Sequence, residues 1–171
     1  MRKFKIFLVS ILLISILTTS ICLCACEKDD EDWIKVYSCS YNIKDLNYSA
    51  IINSVNDVLT ICDEDTSPIF DNDEYGANKK AIEALKEYDE EFFKNKALVV
   101  FFRSHRGGDY YVKDFEIIDE SLNITIVRET KKNAVYPTVV PPICIYILEF
   151  DKEKVEQIAN INVDEITVYV E

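Results

Sequence analysis

The sequence predicts an α+β fold, a single domain built mostly on an antiparallel β-sheet with two or three short helices. The β signals are the clearest. Leu98–Phe102 is a continuous apolar run, Ile143–Phe150 is apolar except for Glu149, and Leu122–Val127 alternates with Leu122, Ile124 and Ile126 facing one way. Apolar residues at helical spacing recur only in short segments between such strands. Strands, short helices and further strands along one chain are typical of the α+β class.

The first elements follow Trp33. Trp33–Tyr41 is rich in β-forming residues and predicts an edge strand, and Ser49–Asn53 predicts a second, short strand. Ser54 can cap a helix with Asp57 in its first turn, where an acid suits the helix dipole. The apolar face of this helix comprises Val55, Val58, Leu59 and Cys62.

The longest irregular stretch is Asp63–Asn78, an acidic segment for which we expect a surface loop. Its Asp71–Gly76 part resembles the start of a calcium-binding EF-hand loop. Tyr75 stands at the third ligand position, and Ile82 stands where a bidentate Glu is needed, so we predict no metal. The alternative is a looser cation site that includes Asp63, Glu64 and Asp65.

The middle of the domain combines helix and sheet. Lys79–Lys86 predicts a short amphipathic helix on Ala81, Ile82 and Leu85, and Tyr88–Phe93 adds one further turn. Leu98–Phe102, Tyr110–Ile118 and Leu122–Val127 are joined by short loops, which predicts a β-meander.

The last third contains three elements and a proline-rich crossing. Tyr136–Pro142 carries three prolines and should run along an edge or cross over. Ile143–Phe150 predicts a buried strand, and Asp151 can cap a helix that extends to Ala159 with Val155, Ile158 and Ala159 inward. Glu165–Val170 closes the chain as a strand with Ile166, Val168 and Val170 on one face.

The N-terminus has the plan of a secretory signal. Basic Arg2, Lys3 and Lys5 precede an apolar run over residues 6–17, and small residues follow. Leu23-Cys24-Ala25-Cys26 resembles the lipobox of bacterial lipoproteins. This resemblance implies that a diacylglycerol is attached to Cys26, that residues 1–25 are removed, and that the domain lies on the outer face of the cell membrane. The alternative is an uncleaved transmembrane anchor, because residues 6–25 are uncharged and about 20 residues span a bilayer.

Charge and length describe the remainder. The chain has 171 residues and a net charge of −12; the signal holds three of its 19 basic residues and none of its 31 acids. Residues 26–32 are the lipidated cysteine and a charged tether, and 33–171 are long enough for one domain. Because this acidic surface repels phosphodiester backbones, we predict no nucleic acid partner.

Three cysteines remain after Cys26. Cys39, Cys62 and Cys144 are widely spaced, unlike zinc ligands or a disulfide framework. We predict small buried apolar side chains. A Cys39–Cys144 or a Cys39–Cys62 bridge is the alternative.

Catalytic motifs are not evident. The single histidine, His105, has no nucleophile motif beside it, and the sequence contains no phosphate-binding Gly-rich loop. We predict a non-enzymatic protein without a cofactor. A hydrolase that uses two carboxylates is the alternative, because some of the 31 acids will approach each other.

One basic segment, Arg103–Asp109, interrupts the acidic sequence, and Arg128, Lys131 and Lys132 could join it. We expect it to project as a hairpin tip and to contact a partner or an anion through guanidinium groups and backbone amides. The alternative is a polar turn whose glycines supply positive φ. The predicted contact residues are Arg103, His105, Arg106, Gly107, Gly108 and Tyr110.

A second resemblance covers about Tyr88–Phe150. Tyr88–Phe93, the strand that follows, the Gly-Gly loop before Tyr110 and the Pro-containing segment resemble small lipoproteins of low-GC Gram-positive bacteria and the C-terminal domain of PrcB, an accessory protein of a protease complex. Together the observations predict a membrane-anchored binding or accessory module of the cell envelope, with another envelope or secreted protein as its partner. A protease-associated or inhibitor-like factor is the alternative.

Overall fold

Two β-sheets form the centre of the domain. The computed structural model describes residues 33–39, 43–63, 67–70, 78–136 and 141–170, which belong to one compact unit, Asp32–Glu171. The first sheet has four antiparallel strands in the order β1-β6-β3-β2, and the second has three in the order β4-β5-β7. The strands are β1 (Ile34–Cys39), β2 (Ser49–Ile52), β3 (Lys96–Ser104), β4 (Asp109–Ile118), β5 (Ser121–Lys131), β6 (Ile143–Asp151) and β7 (Asn160–Val170).

The helices are short. The described residues include α1 (Val55–Cys62), α2 (Lys79–Lys86), a 3₁₀ turn at Phe92–Lys94, and the four-residue α3 (Lys152–Val155). These elements confirm the predicted α+β class, with mostly antiparallel strands.

The elements pack in three layers. On one face of the four-stranded sheet, Leu98, Val100 and Phe102 pack with the apolar faces of α1 and α2. On the other face, alternate residues of β3 and β6 pack against Leu122, Ile124 and Ile126 of β5. These three β5 side chains lie on one face of their strand, as the alternating sequence predicts. The four-stranded sheet is therefore covered on both faces.

Strands β3 and β6 occupy the centre because they are apolar on both faces. Ala97–Phe102 and Ile143–Leu148 are buried throughout, and the two strands pair with each other from Lys96↔Asp151 to Ser104↔Ile143. A strand that is apolar on both faces can bury both of them only when a layer covers each side of its sheet. The two shorter strands, β1 and β2, take the edges.

Helix α1 begins where the sequence predicts. The Ser54 side chain accepts a hydrogen bond from the Asp57 N–H (3.2 Å), and Asp57 Oδ2 accepts from the Asn53 N–H (3.1 Å). This reciprocal cap satisfies two backbone donors at the helix start. Val58 and Cys62 are buried as predicted, but Leu59 is exposed and Ile61 takes the inward position.

The predicted meander is wrong. β3 pairs with β2 and β6, whereas β4 pairs with β5 in the other sheet. β3 already has a neighbour on each side, so the chain leaves the first sheet after Ser104 and begins the second at Asp109. Of the predicted meander, the hairpin of β4 and β5 is present, with the short loop between Ile118 and Ser121.

The C-terminal elements also differ from expectation. The helix after Asp151 ends at Val155 instead of Ala159, and Ala159 is exposed. β7 begins at Asn160 and runs parallel to β5, with Leu122 opposite Ile161 and Lys131 opposite Val170. Short α3 is part of the crossover between β6 and β7.

The described part of the acidic stretch is not a surface loop. Ser67, Ile69, Phe70 and Asn78 are buried, and the Ser67 hydroxyl accepts hydrogen bonds from the Ile69 and Phe70 N–H groups. The EF-hand-like segment 71–76 lies outside the described residues, as do residues 1–32, which include the predicted signal, Cys26 and the tether.

The cysteines of the domain behave as small apolar side chains. All three are buried, and Cys62 and Cys144 carry no disulfide, so neither bridge considered above is formed. Burial raises the pKa of the Cys62 thiol to about 11. Within the described ranges, no helix has the length and apolarity needed to cross a bilayer.

Candidate functional site

The predicted contact residues lie on the segment that carries the chain from one sheet to the other. β3 ends at Ser104 and β4 begins at Asp109, so residues 105–108 cross between the layers instead of forming a hairpin turn. The His105 N–H donates to the Pro142 carbonyl (2.9 Å), which joins the crossing to the residues before β6. We call residues 103–110 the crossover segment.

His105 is held on three sides. Its Nε2 lies 2.7 Å from the Tyr146 hydroxyl, its Nδ1 lies 3.6 Å from Cys144 Sγ, and its ring stacks on Tyr110 with 3.9 Å between ring centroids. Tyr146 and Cys144 project from the same face of β6, two residues apart. The Tyr110 ring thus packs against His105, whereas the adjacent Tyr111 is exposed.

The Cys144–His105 pair has the composition of a thiol nucleophile and its base. Its electrostatics oppose that chemistry, because burial raises the pKa of the Cys144 thiol and lowers the pKa of the His105 imidazole. Both shifts favour the neutral forms, whereas a nucleophilic cysteine needs a thiolate stabilised by a cation. The thiol is 8 % exposed. The pair therefore suits a packing role.

The guanidinium groups near the crossover segment are bound to backbone carbonyls. Arg103 donates to the carbonyls of Phe102 (2.9 Å) and Val163 (3.0 Å). Arg128 donates from Nε to the Gly107 carbonyl (2.7 Å) and from Nη2 to the Arg106 carbonyl (3.1 Å). Arg103 thus connects β3 to β7, and Arg128 connects β5 to the crossover segment. The Arg106 side chain is exposed.

Gly107 and Gly108 are required by the close packing of the segment. Their φ values are +89° and +101°, in the region that favours glycine. A Cβ on Gly107 would lie 2.3 Å from the Tyr136 ring, and one on Gly108 would lie 2.4 Å from the Glu129 carbonyl oxygen. The backbone of the segment is therefore packed against β5 and Tyr136.

The structure brings His105, Gly107, Gly108 and Tyr110 together in a packed polar cluster. Arg103 donates instead to the carbonyls of Phe102 and Val163, which lie outside this cluster, and Arg106 is exposed. A partner that binds this segment would meet the Arg106 side chain first. Contact through these residues stays a prediction.

A different surface carries most of the exposed apolar side chains. Thirteen large hydrophobic residues in the described ranges are exposed, and eight of them lie on the two outer strands of the three-stranded sheet. They are Tyr111, Phe115, Ile117 and Ile118 of β4, and Ile166, Val168, Tyr169 and Val170 of β7.

Four residues form an apolar row across the outer face of this sheet. Tyr111 of β4 pairs with Val127 of β5, which pairs with Ile166 of β7, and Val168 follows on the same face. Val127 is 3 % exposed, while Tyr111, Ile166 and Val168 are 45 %, 47 % and 40 % exposed. The Tyr111 hydroxyl donates to Glu129 Oε1 (3.1 Å), which holds the ring against the sheet. We call these four residues the outer row.

The second edge of β7 is a further feature of this surface. β7 is last in the sheet order, and no described strand pairs with the side opposite β5. The sequence predicted a strand over Glu165–Val170 with one apolar face, but it did not place that face outward. The missed signal is a change of face along β7. Ile161 and Val163 pack against the core, whereas Ile166, Val168 and Val170 lie on the outer face.

The comparisons with known proteins add no assignment. No protein-family model, no curated protein and no solved structure matches this chain. Among the described residues, no group of three or more histidine, cysteine, aspartate or glutamate side chains is arranged to hold a metal ion.

Proposed function

We propose that this protein is a lipid-anchored, extracytoplasmic and non-catalytic module that binds another protein of the cell envelope through its three-stranded sheet. The observation that carries the proposal is the outer row with its exposed neighbours on β4 and β7. Single exposed apolar residues are ordinary, but adjoining ones on a face mark contact surfaces.

The location is supported by the sequence. The basic start, the apolar run and Leu23-Cys24-Ala25-Cys26 resemble a lipoprotein signal, and the residues that follow Cys26 are charged. A tether of this kind keeps a domain in water beside the membrane. Two acyl chains suffice for stable attachment, since each buried methylene contributes about 0.8 kcal/mol.

The non-catalytic assignment rests on the His105 cluster. His105 does lie beside a thiol and a hydroxyl, which is the geometry that would favour an enzyme. Burial favours the neutral thiol and the neutral imidazole, so the pair is poorly suited to nucleophilic attack. The protease-associated alternative is supported by the sequence resemblance alone.

Site-specific cross-linking in growing cells tests the proposal. A photo-reactive residue replaces Val168 in the full-length protein, and a matched protein carries it at Glu83, an exposed residue of α2 on the helical layer. We expect a higher-mass adduct from position 168 and none from position 83. Replacing Tyr111 and Ile166 by Ser in the first protein should reduce the adduct.

Two results would contradict binding through the sheet. One is the lack of an adduct at position 168 in cells that contain the folded protein, and the other is equal adduct formation at both positions. Mass spectrometry of the adduct identifies the partner. A protease or a protease subunit would select the accessory-factor alternative.

A further inference from the structure

The free edge of β7 is long and weakly protected. The strand has eleven residues, and within it Ile166–Val170 contains neither a charge nor a proline. Sheet edges are usually protected by lysine, proline, bulges or a covering segment. The charges of β7 are Asp164 and Glu165, both N-terminal to the apolar run.

We propose that this edge, over Asp164–Val170, accepts an extended segment of the partner protein as a fourth strand, and that the segment alternates basic and apolar residues. The inference rests on the proposed function and specifies how the partner is held. Main-chain hydrogen bonds would supply affinity in this mode, and alternate side chains would supply selectivity.

The Arg103–Val163 hydrogen bond indicates which backbone groups of β7 point away from β5. Arg103 belongs to the other sheet and reaches the Val163 carbonyl at 3.0 Å, so this carbonyl points away from β5. Backbone groups repeat their direction every second residue along a strand. The N–H and carbonyl groups of Glu165, Thr167 and Tyr169 therefore point outward too, in the part of the edge beyond Arg103.

The side chains beside this edge favour an apolar strand. Ile166, Val168 and Val170 lie on the outer face, and Tyr169, which is 65 % exposed, lies on the other. A fourth strand would place its own side chains beside the outer row on one face and beside Tyr169 on the other. Such neighbouring pairs contribute about 0.2–1 kcal/mol each.

Charge selects the basic residues. The chain carries −12 overall, and Asp164 and Glu165 are both exposed at the start of the free edge. Glu165 lies on the face of Tyr169, and Asp164 lies on the opposite face. An alternating segment with lysine or arginine on the Glu165 face gains a complementary pair there and is attracted to the acidic domain from a distance.

Charge also disfavours a second copy of this chain. Antiparallel pairing of β7 with β7 over its whole length, Asn160–Val170, is centred on Glu165 and places the two Glu165 side chains opposite each other. Like charges directly opposite in a ladder are destabilising. Two domains of the same strong negative charge also repel each other.

Peptide binding to the detergent-solubilised full-length protein tests the edge. The probe is a fluorescent eight-residue peptide that alternates lysine and valine, and fluorescence anisotropy reports binding. One control peptide replaces lysine by glutamate. The other keeps the side chains but is N-methylated on every amide, so neither of its edges can donate hydrogen bonds. Losing these hydrogen bonds should weaken binding by about tenfold or more.

Three variants locate the site on the protein. Thr167→Pro removes an outward N–H from the edge strand, where proline is tolerated, and should weaken binding of the lysine–valine peptide about tenfold. Thr167→Val keeps that N–H and should bind as the parent does. Glu165→Lys should weaken binding and flatten its salt dependence.

Equal affinity for the N-methylated and unmethylated peptides would overturn edge pairing. That comparison uses the parent protein, so it decides the question even if Thr167→Pro fails to fold. If the cross-linked adduct at position 168 persists in a folded Thr167→Pro protein, binding through the sheet is supported, but pairing at the β7 edge is contradicted. An adduct with the mass of two copies of this chain, or a cross-link within one chain, would instead contradict the proposal that the edge binds a segment of a different protein.

Discussion

His105 shows how a residue of reactive type is placed in a packing role. Its two ring nitrogens face the Tyr146 hydroxyl and the Cys144 thiol, and its face is covered by Tyr110. No hydrogen bond of this set requires a charged imidazole. Burial lowers the pKa of His105 below its ordinary value of 6.5, because it removes the charged imidazole from water.

A pH prediction follows for His105. In the unfolded chain the imidazole is protonated near its ordinary pKa, while the folded protein resists protonation until lower pH. The unfolded state therefore binds more protons as the pH falls from above 6.5 to the folded-state pKa, so the free energy of unfolding should decrease in that window. Below the folded-state pKa, the His105 contribution should be constant.

NMR and denaturant unfolding measure the two parts of this prediction. The chain has one histidine, so a single imidazole signal reports the folded-state pKa without assignment. His105→Gln should remove the His105 contribution, and the difference between parent and variant isolates it from the carboxylates. A folded-state pKa at or above 6.5 would contradict the burial argument.

Residue types on the crossover segment were predictable, but their partners were not. Neighbouring strand residues point to opposite faces, and Tyr110 accordingly stacks on His105 while Tyr111 is exposed. The arginines suggested an anion site because a guanidinium group suits carboxylates and phosphates. In the fold, Arg103 and Arg128 meet carbonyls of Val163, Gly107 and Arg106, and those contacts depend on how two sheets stack.

At the scale of elements, the β4–β5 hairpin carries local strain. Ile118 pairs with Ser121, so the loop has two residues, and its Asp119 and Glu120 have φ values of +47° and +61°. Positive φ at both positions is the type I′ turn that matches the twist of paired strands, and glycine or asparagine is the usual choice. Aspartate and glutamate adopt this conformation at a cost.

Glu120→Gly should therefore stabilise the protein. Glycine adopts positive φ without the Cβ repulsion that the glutamate meets, and we expect an increase of about 0.5–1 kcal/mol in the free energy of unfolding. Glu116→Gly is the matched control. It removes the same exposed side chain from regular β4, where glycine should cost about 0.5–1 kcal/mol. Denaturant unfolding that shows the same sign for both variants would contradict the strain argument.

The spacing of apolar residues and the helix caps predict which segments form helices and which form strands. They do not predict which sheet each strand joins. Ser54 and Asp57 correctly mark the start of α1. The meander failed because strands adjacent in sequence, β3 and β4, were assumed to be adjacent in space. Continuous apolar runs identify β3 and β6 as covered on both faces, and the alternation of Leu122, Ile124 and Ile126 identifies β5 as a strand with one buried face. The same alternation in Ile166, Val168 and Val170 of β7 marks an exposed face.

At the scale of the whole molecule, the layers leave one large face unlike the others. Helices cover one side of the central sheet, and the three-stranded sheet covers the other with Tyr111, Ile166 and Val168 outward. An acidic domain with an apolar face stays soluble through its charge. Anchoring to a membrane would hold that face among envelope proteins and raise its effective concentration toward them.

The anchor is tested by replacing Cys26 in growing cells supplied with labelled fatty acid. If the lipobox resemblance holds, Cys26→Ser should lose the label, because serine has no thiol for the diacylglycerol, and should keep the 25-residue signal that cleavage before Cys26 removes. Cys24→Ser is the matched control: that residue leaves with the signal, so the protein should remain labelled and shorter. Label in the Cys26→Ser protein would contradict lipid attachment at Cys26. An unlabelled parent protein that keeps residues 1–25 would favour the transmembrane anchor.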